Sequence, residues 1–202
     1  MNPSCNRPPR PPRGRAAFAR LRRLVWLALG LLFLLLAGHQ PARPQENSPS
    51  EYQVKAAFLF NFGKFVEWPS GAFTNASDPL VIGVYGANPF HHDLEQLVAG
   101  KQIGGHPVVV RQIADLAALK DCRIVFLNTP DARQETEISD ALGQAPTLTV
   151  TENLPHFQTS KFMINFSVAD GRIRFEINQD TAQLCGLKIS SKLLTLARSP
   201  GK

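Results

Sequence analysis

The residues best equipped for chemistry are His91 and His92 with Asp93 and Glu95, the thiols of Cys122 and Cys185, and the glycine-bearing stretch GVYGANPF at 83–90. Imidazoles beside carboxylates could hold a transition metal. Adjacent side chains on a helix, however, diverge by about 100°, and neither H-E-x-x-H nor a cysteine cluster accompanies them. The group reads as a solvated helix face. His106 beside Pro107 and His156 beside Pro155 read as loop residues. GVYGANPF lies where a strand hands over to a helix, and a helix start can attract an anion. It lacks G-x-G-x-x-G, so a tight turn fits it better than a dinucleotide site. A phosphoacceptor domain needs acids at the carboxyl ends of its first and third strands. Those ends read VYGANP and FLNTPD, and Asp131 falls where it would cap a helix. No G-x-S-x-G turn occurs. No catalytic residue, metal or cofactor is expected, and a hydrolase is the weakest reading.

The elements that must position these residues begin with a helix. Ser50 can cap it, and from Tyr52 apolar residues recur at helical spacing to about Val66, ahead of Pro69. PLVIGVYG (79–86), GGHPVVVRQI (104–113), CRIVFLN (122–128) and PTLTVTE (146–152) read as strands. Helical segments alternate with them at 88–100, 115–121 and 131–144; Asn88 is the expected cap of the first, and Ile138 and Leu142 face inward on the last. KFMINFSVADGRIRFEIN (161–178) reads as two strands joined at Asp170-Gly171, a tight-turn dipeptide. Asp180 opens a helix that breaks at Gly186, and Ser190 or Ser191 can cap a last one. Apolar strands joined by helices imply a parallel sheet covered on both faces. The expectation is an α/β fold: a three-layer α/β sandwich of flavodoxin or receiver type, with a mostly parallel sheet and an antiparallel C-terminal hairpin.

Residues 24–37 form an uninterrupted apolar run directly after Arg20, Arg22 and Arg23. A basic segment before a short apolar core is the pattern of a secretory signal, and the run falls short of the ~20 residues that span a bilayer. Residues 1–42 are therefore read as a signal peptide, cleaved between about Gly38 and Gln45, with an uncleaved anchor as the alternative. Residues 43–50 read as a Pro/Ser linker and 51–198 as one domain. His39 stands where a lipidated cysteine would be needed, so no lipid anchor is expected. The signal places the rest in a periplasm. There Cys122 and Cys185 are either a bridge, which that compartment permits, or two core thiols. The basic charge belongs to the leader: eight arginines and no acid precede Glu46, whereas fourteen basic and sixteen acidic residues lie from Glu46 onward. A basic patch for nucleic acid is not expected.

The first helix carries an excess of aromatic rings in FLFNFGKFVEWPS (58–70). Val54, Phe58, Phe65 and Val66 are read as its core face. Phe60, Phe62 and Trp68 then lie off or at the rim of that stripe, and with Lys64 they form the expected partner or dimer surface, or a wall of a ligand pocket. The alternative is that the C-terminal helices cover them.

The segments EYQVKAAFLFNFGKFVEWP, GKQIGGHPVVVRQI, CRIVFLN, LTVTENLPHF, MINFSVADGRIRFEIN and CGLKISSKLLTLAR together resemble the YfiR-like periplasmic family, whose founding member represses an inner-membrane diguanylate cyclase. The resemblance runs from Ser50 to Arg198. It implies a non-enzymatic periplasmic regulator, often a homodimer, that holds a membrane cyclase inactive and is sequestered by an outer-membrane lipoprotein. In other members the domain is the sensory part of a histidine kinase. It also implies a small-molecule pocket between the end of the first helix and the C-terminal hairpin and helices, at positions here occupied by Glu67, Glu176 and Ser190. Glu67 stands where some members have a basic residue and Ser190 where some have His, so a cationic or hydroxyl-rich ligand suits the set better than a phosphate. The family's frequent first-strand cysteine is missing from VIGVYG, so Cys122 lacks its usual partner. The reading from another class is a small-ligand-binding protein serving a sensor kinase or a transporter.

Overall fold

The computed structural model describes residues 49–128 and 131–197; the expected signal peptide at 1–42 and most of the linker at 43–50 lie outside the described residues. The N-terminal helix α1 (Glu51–Phe65) starts where expected, because Ser50 and Gln53 cap each other reciprocally. It is followed by the short strand β1 (Val66–Glu67) and then β2 (Leu80–Tyr85), α2 (Asp93–Val98), β3 (Gln102–Ile103), β4 (His106–Ile113) and β5 (Ile124–Leu127). Next come α3 (Ala132–Leu142), β6 (Leu148–Glu152), β7 (Ile164–Ala169), β8 (Arg172–Ile177), α4 (Gln179–Leu184), β9 (Lys188–Ile189) and α5 (Ser191–Leu196). Single 3-10 segments at Leu116–Asp121 and Phe157–Thr159 link β4 to β5 and β6 to β7.

The sheet order is β3-β4-β2-β5-β6-β7-β8, with β4, β2, β5, β6 and β7 mutually parallel and β3 and β8 antiparallel at the edges. Taken alone, the five parallel strands follow the flavodoxin-like order. Side chains alternate across the sheet. Ile82, Val84, Phe126, Val150 and Phe166 pack on one face with α1 and α2; Val81, Val125 and Leu127 pack on the other with Ile138 and Leu142 of α3. The result is the expected three-layer α/β sandwich with an antiparallel C-terminal hairpin. Asp170 and Gly171 have φ of 52° and 68°, the backbone a two-residue hairpin of this hand demands.

Two expectations shift, and one open alternative is settled. The helix expected from Asn88 begins at Asp93, because Asn88 instead accepts from the Phe90 N–H and His91 adopts a left-handed φ of 50°. The strand expected from Gly104 begins at His106, because Gly104 and Gly105 (φ 60° and 89°) form a hairpin turn that adds β3. Cys122 and Cys185 are both free thiols, and they pack in the cores on opposite faces of the sheet. Burial pushes the Cys122 thiol up to about 11, so it is inert at neutral pH.

One charged residue sits at the centre of the α1 interface. Lys55 is buried, and its ammonium donates to Glu152 at 2.5 Å and to Glu51. Tyr52 Oη donates to the other Glu152 oxygen at 3.1 Å. Burial alone would lower the Lys55 value; the hydrogen bonds from Glu152 and Glu51 outweigh it and hold the ammonium above its ordinary value. This cluster fastens the start of α1 to the carboxyl end of β6.

Candidate functional site

The other end of α1 is built differently. The helix stops at Phe65 because Val66 turns extended (φ −114°, ψ 134°). Val66 and Glu67 then pair antiparallel with Ile189 and Lys188, and the Ser190 N–H donates to the Phe65 carbonyl at 2.9 Å. Ser190 Oγ accepts from Leu193 N–H and caps α5. Glu67 and Ser190, expected together, are thus brought to one place by a two-residue ladder. Glu67 is exposed, and its neighbours Val66 and Trp68 turn to the opposite side.

On that side lies an open cavity of about 480 Å³, within the usual range for small-molecule sites, between the end of α1 and the β3–β4 hairpin. Lys64 and Trp68 line it together with Phe73, Gln102, Ile103 and His106. Phe73 and His106 stack with centroids 3.7 Å apart and planes 13° apart, and Trp68 meets Phe73 edge-on at 6.5 Å. His106 Nδ1 lies 2.8 Å from the Asp78 carbonyl; a carbonyl only accepts, so Nδ1 carries the proton and Nε2 is the remaining acceptor. Trp68 Nε1 is a buried donor without a hydrogen-bond partner among the described residues. Lys64 is exposed, its ammonium 4.4 Å from the Phe60 ring centroid, and Lys101 caps the same ring at 5.0 Å.

The expected partner surface therefore divides. Lys64 and Trp68 border open space, but Phe60 and Phe62 are buried, at 7% and 0% exposure. Phe62 stacks on Phe166 (5.6 Å) and meets Phe175 edge-on (5.2 Å), so the C-terminal hairpin covers it. Phe60 and Phe62 form part of the core, whereas Phe58 and Phe65, expected inside, are only half-buried. The physical reason is that α1 is apolar on nearly all sides and is enclosed accordingly.

Glu176 is not part of the Glu67–Ser190 group. Its neighbours Phe175 and Ile177 pack in the core beneath α1, so its own side chain lies on the opposite face of the sheet. There it accepts from Gln158 Nε2 at 3.1 Å and lines a second cavity, of about 540 Å³, with Asn153, His156 and Ser167. Ser167 Oγ is buried there without a hydrogen-bond partner among the described residues. Among the described residues no group of three potential ligands is arranged to hold a metal ion. The crevice between the β2 and β5 ends, where this strand order usually binds ligands, is bridged by one hydrogen bond: Asn128 Nδ2 donates to the Ala87 carbonyl at 2.7 Å.

Sequence reasoning missed Phe73, Gln102 and His106. Two signals were available. Phe73 is a lone aromatic in the polar stretch SGAFTNASD, and Gly104-Gly105 marks a turn that sets His106 opposite Ile103 and Gln102 opposite Pro107.

A five-stranded parallel core with antiparallel edges, covered by helices on both faces, defines an α/β sandwich domain. The YfiR/HmsC-like family model matches residues 52–198, and the chain belongs to that family. The family is one of periplasmic regulators. Among solved structures the chain is similar to cystalysin from Treponema denticola, which contains pyridoxal 5′-phosphate, at 11% identity over 79% of this chain. The chain spans 54% of that protein, and the TM-score of 0.34 carries no argument about fold or chemistry.

Proposed function

We propose that this chain is a non-enzymatic periplasmic signalling regulator that binds the periplasmic part of an inner-membrane diguanylate cyclase and holds it inactive. The observation that carries this reading is family membership over residues 52–198. The geometry supports it by leaving Lys64 and Trp68 at an open end of α1, where an aromatic beside a cation makes a good anchor for a partner. An outer-membrane lipoprotein that competes for the regulator, and a homodimer of it, complete the proposal. Glu67 and Ser190 are proposed as one ligand-contacting group beside β9; Glu176 is assigned to its own cavity.

The test is intracellular cyclic di-GMP in the native organism with the gene deleted and then restored. A rise on deletion that the gene reverses supports the repressor. Unchanged levels sink it and favour the second reading, a ligand-binding sensor that serves a histidine kinase or a transport system. That reading draws on the polar cavity of Glu176, whose buried Ser167 hydroxyl has no partner among the described residues.

A further inference from the structure

We infer that the outer edge of β8 is the surface through which two copies of this chain pair, strand against antiparallel strand, about a two-fold axis at Phe175. This gives the homodimer proposed above its interface and rests on that part of the proposal. Three observations carry it.

The first is an open row of backbone groups. β8 ends the sheet order and pairs only with β7. The Asp170-Gly171 turn makes Ala169 and Arg172 a hydrogen-bonded pair, and at the other end the Asn178 N–H donates to the Met163 carbonyl. Arg172, Arg174 and Glu176 therefore spend their backbone groups on β7. Those of Ile173, Phe175 and Ile177 point away from it, and no described residue bonds them. The end of α5 reaches the hairpin tip, where Thr195 and Leu196 line a hollow with Asp170 and Arg174, but the Thr195 hydroxyl donates to Ser191 and not to β8. Sheet edges are normally blunted by brevity, proline, bulges or charge. At the opposite edge β3 has two residues and lies against Pro107. β8 has six residues, no proline and an unbroken register with β7, and its outward charges are of both signs.

The second is charge. The free groups of Ile173, Phe175 and Ile177 must meet their own kind across the axis, which fixes the choice of register. An axis at Arg174 opposes two guanidinium groups, and one at Glu176 opposes two carboxylates. An axis at Phe175 sets Ile173 opposite Ile177 of the second copy and Arg174 opposite its Glu176, twice over. Arg174 and Glu176 then form non-hydrogen-bonded pairs, with Cα atoms about 4.5 Å apart and side chains at their closest. Arg174 is exposed and has no ion pair among the described residues, Asp170 included. Glu176 accepts from Gln158 through Oε2, which leaves Oε1 for the guanidinium.

The third is an apolar row that stops short. Val168 is 47% exposed, and Ile173 opposite it is only half-buried. In the pair this row runs on into Ile177 and Ile164 of the second copy, and the Phe166–Phe175 row runs on into its Phe175 and Phe166. The same register thus matches apolar side chains on one face of the joined sheet and opposite charges on the other.

The test is sedimentation velocity of the protein purified from its host, over a concentration series. A reversible dimer is expected. Arg174→Glu and Glu176→Arg should each weaken it about tenfold, because two cross-strand pairs turn repulsive. The two changes combined should return it to within about threefold of the native value. Ile173→Pro removes an outward donor and no bond to β7, and should also dissociate the dimer. Unchanged far-ultraviolet circular dichroism shows that each variant is folded. A monomer at every concentration overturns the inference. So does a dimer that withstands both single reversals, or one that the combined reversal fails to restore. If β8 instead takes a strand from a cyclase periplasmic domain, the native chain sediments alone as a monomer and the inference fails. The sedimentation needs no cyclase: a monomer that still lowers cyclic di-GMP sinks this inference alone, and a dimer without effect on cyclic di-GMP sinks the repressor alone.

Discussion

The two ends of α1 differ in how they treat polar groups. At the start, Lys55 and Glu152 are buried and satisfy each other, with the exposed Glu51 and the partly buried Tyr52 completing the group. At the end, Trp68 keeps a buried N–H without an acceptor among the described residues, and Lys64 stands exposed on an aromatic ring. Both ends depart from an apolar core, but only the first closes its hydrogen bonds. A satisfied buried network rigidifies; an open one is available to something else. The first end is thus structural and the second is where recognition can occur.

The contrast can be tested from its strongest consequence downwards. Phe62→Ala, on the buried side of the second end, should cost about 3–5 kcal/mol in urea unfolding. A negligible loss would return Phe62 to the surface. Lys55→Met keeps most of the stem's bulk but leaves Glu152 without its cation, and should cost about 3 kcal/mol. Adding Glu152→Gln should restore most of it; failure to do so would mean that the pair is not what fastens α1.

A smaller effect follows from pH. The Lys55 value is raised in the fold despite burial, because Glu152 and Glu51 hold its proton. Tyr52 is raised by burial and by the charge of Glu152. A group whose folded value lies above its unfolded one stabilises fully below the unfolded value, about 10, and loses this as pH rises through the folded value. Unfolding free energy should therefore fall above about pH 10 more steeply in the native chain than in Lys55→Met. Parallel curves would remove the cluster as the cause. The smallest change is expected for Trp68→Phe, within about 0.5 kcal/mol, since the lost indole N–H has no partner to miss it. A large loss would mean that Trp68 is a packing residue, and the two ends would no longer differ.

The sandwich was legible because its strands are apolar runs and its helices carry their own stop and start residues, such as Ser50 and Asp131. The buried face of α1 was not. Its stripe runs through Lys55, Ala56, Leu59, Phe60, Phe62 and Gly63. Lys55 and Gly63 speak against burial by type, while Phe58 and Phe65 speak for it, so periodicity pointed to a neighbouring face. Lys55 makes sense only once Glu152, nearly a hundred positions away, is placed beside it. The β1–β9 ladder escaped for another reason: two residues a side carry no alternation to read. Without that ladder, Glu67 and Ser190 could be grouped only by resemblance, and Glu176 joined them because sequence does not say which face of a hairpin meets which layer.

That ladder also bears on the order in which the molecule can be completed. It joins Val66 to Ile189, and Ser190 holds the carbonyl of Phe65. A chain that leaves the ribosome N-terminus first delivers α1 early and β9 almost last. Everything from β2 to β8 can pair while the exit from α1 still hangs open, and contacts this far apart in sequence form late. The region proposed for recognition is then finished only by the arrival of the final strand. A partner that grips it would receive a chain already entirely made.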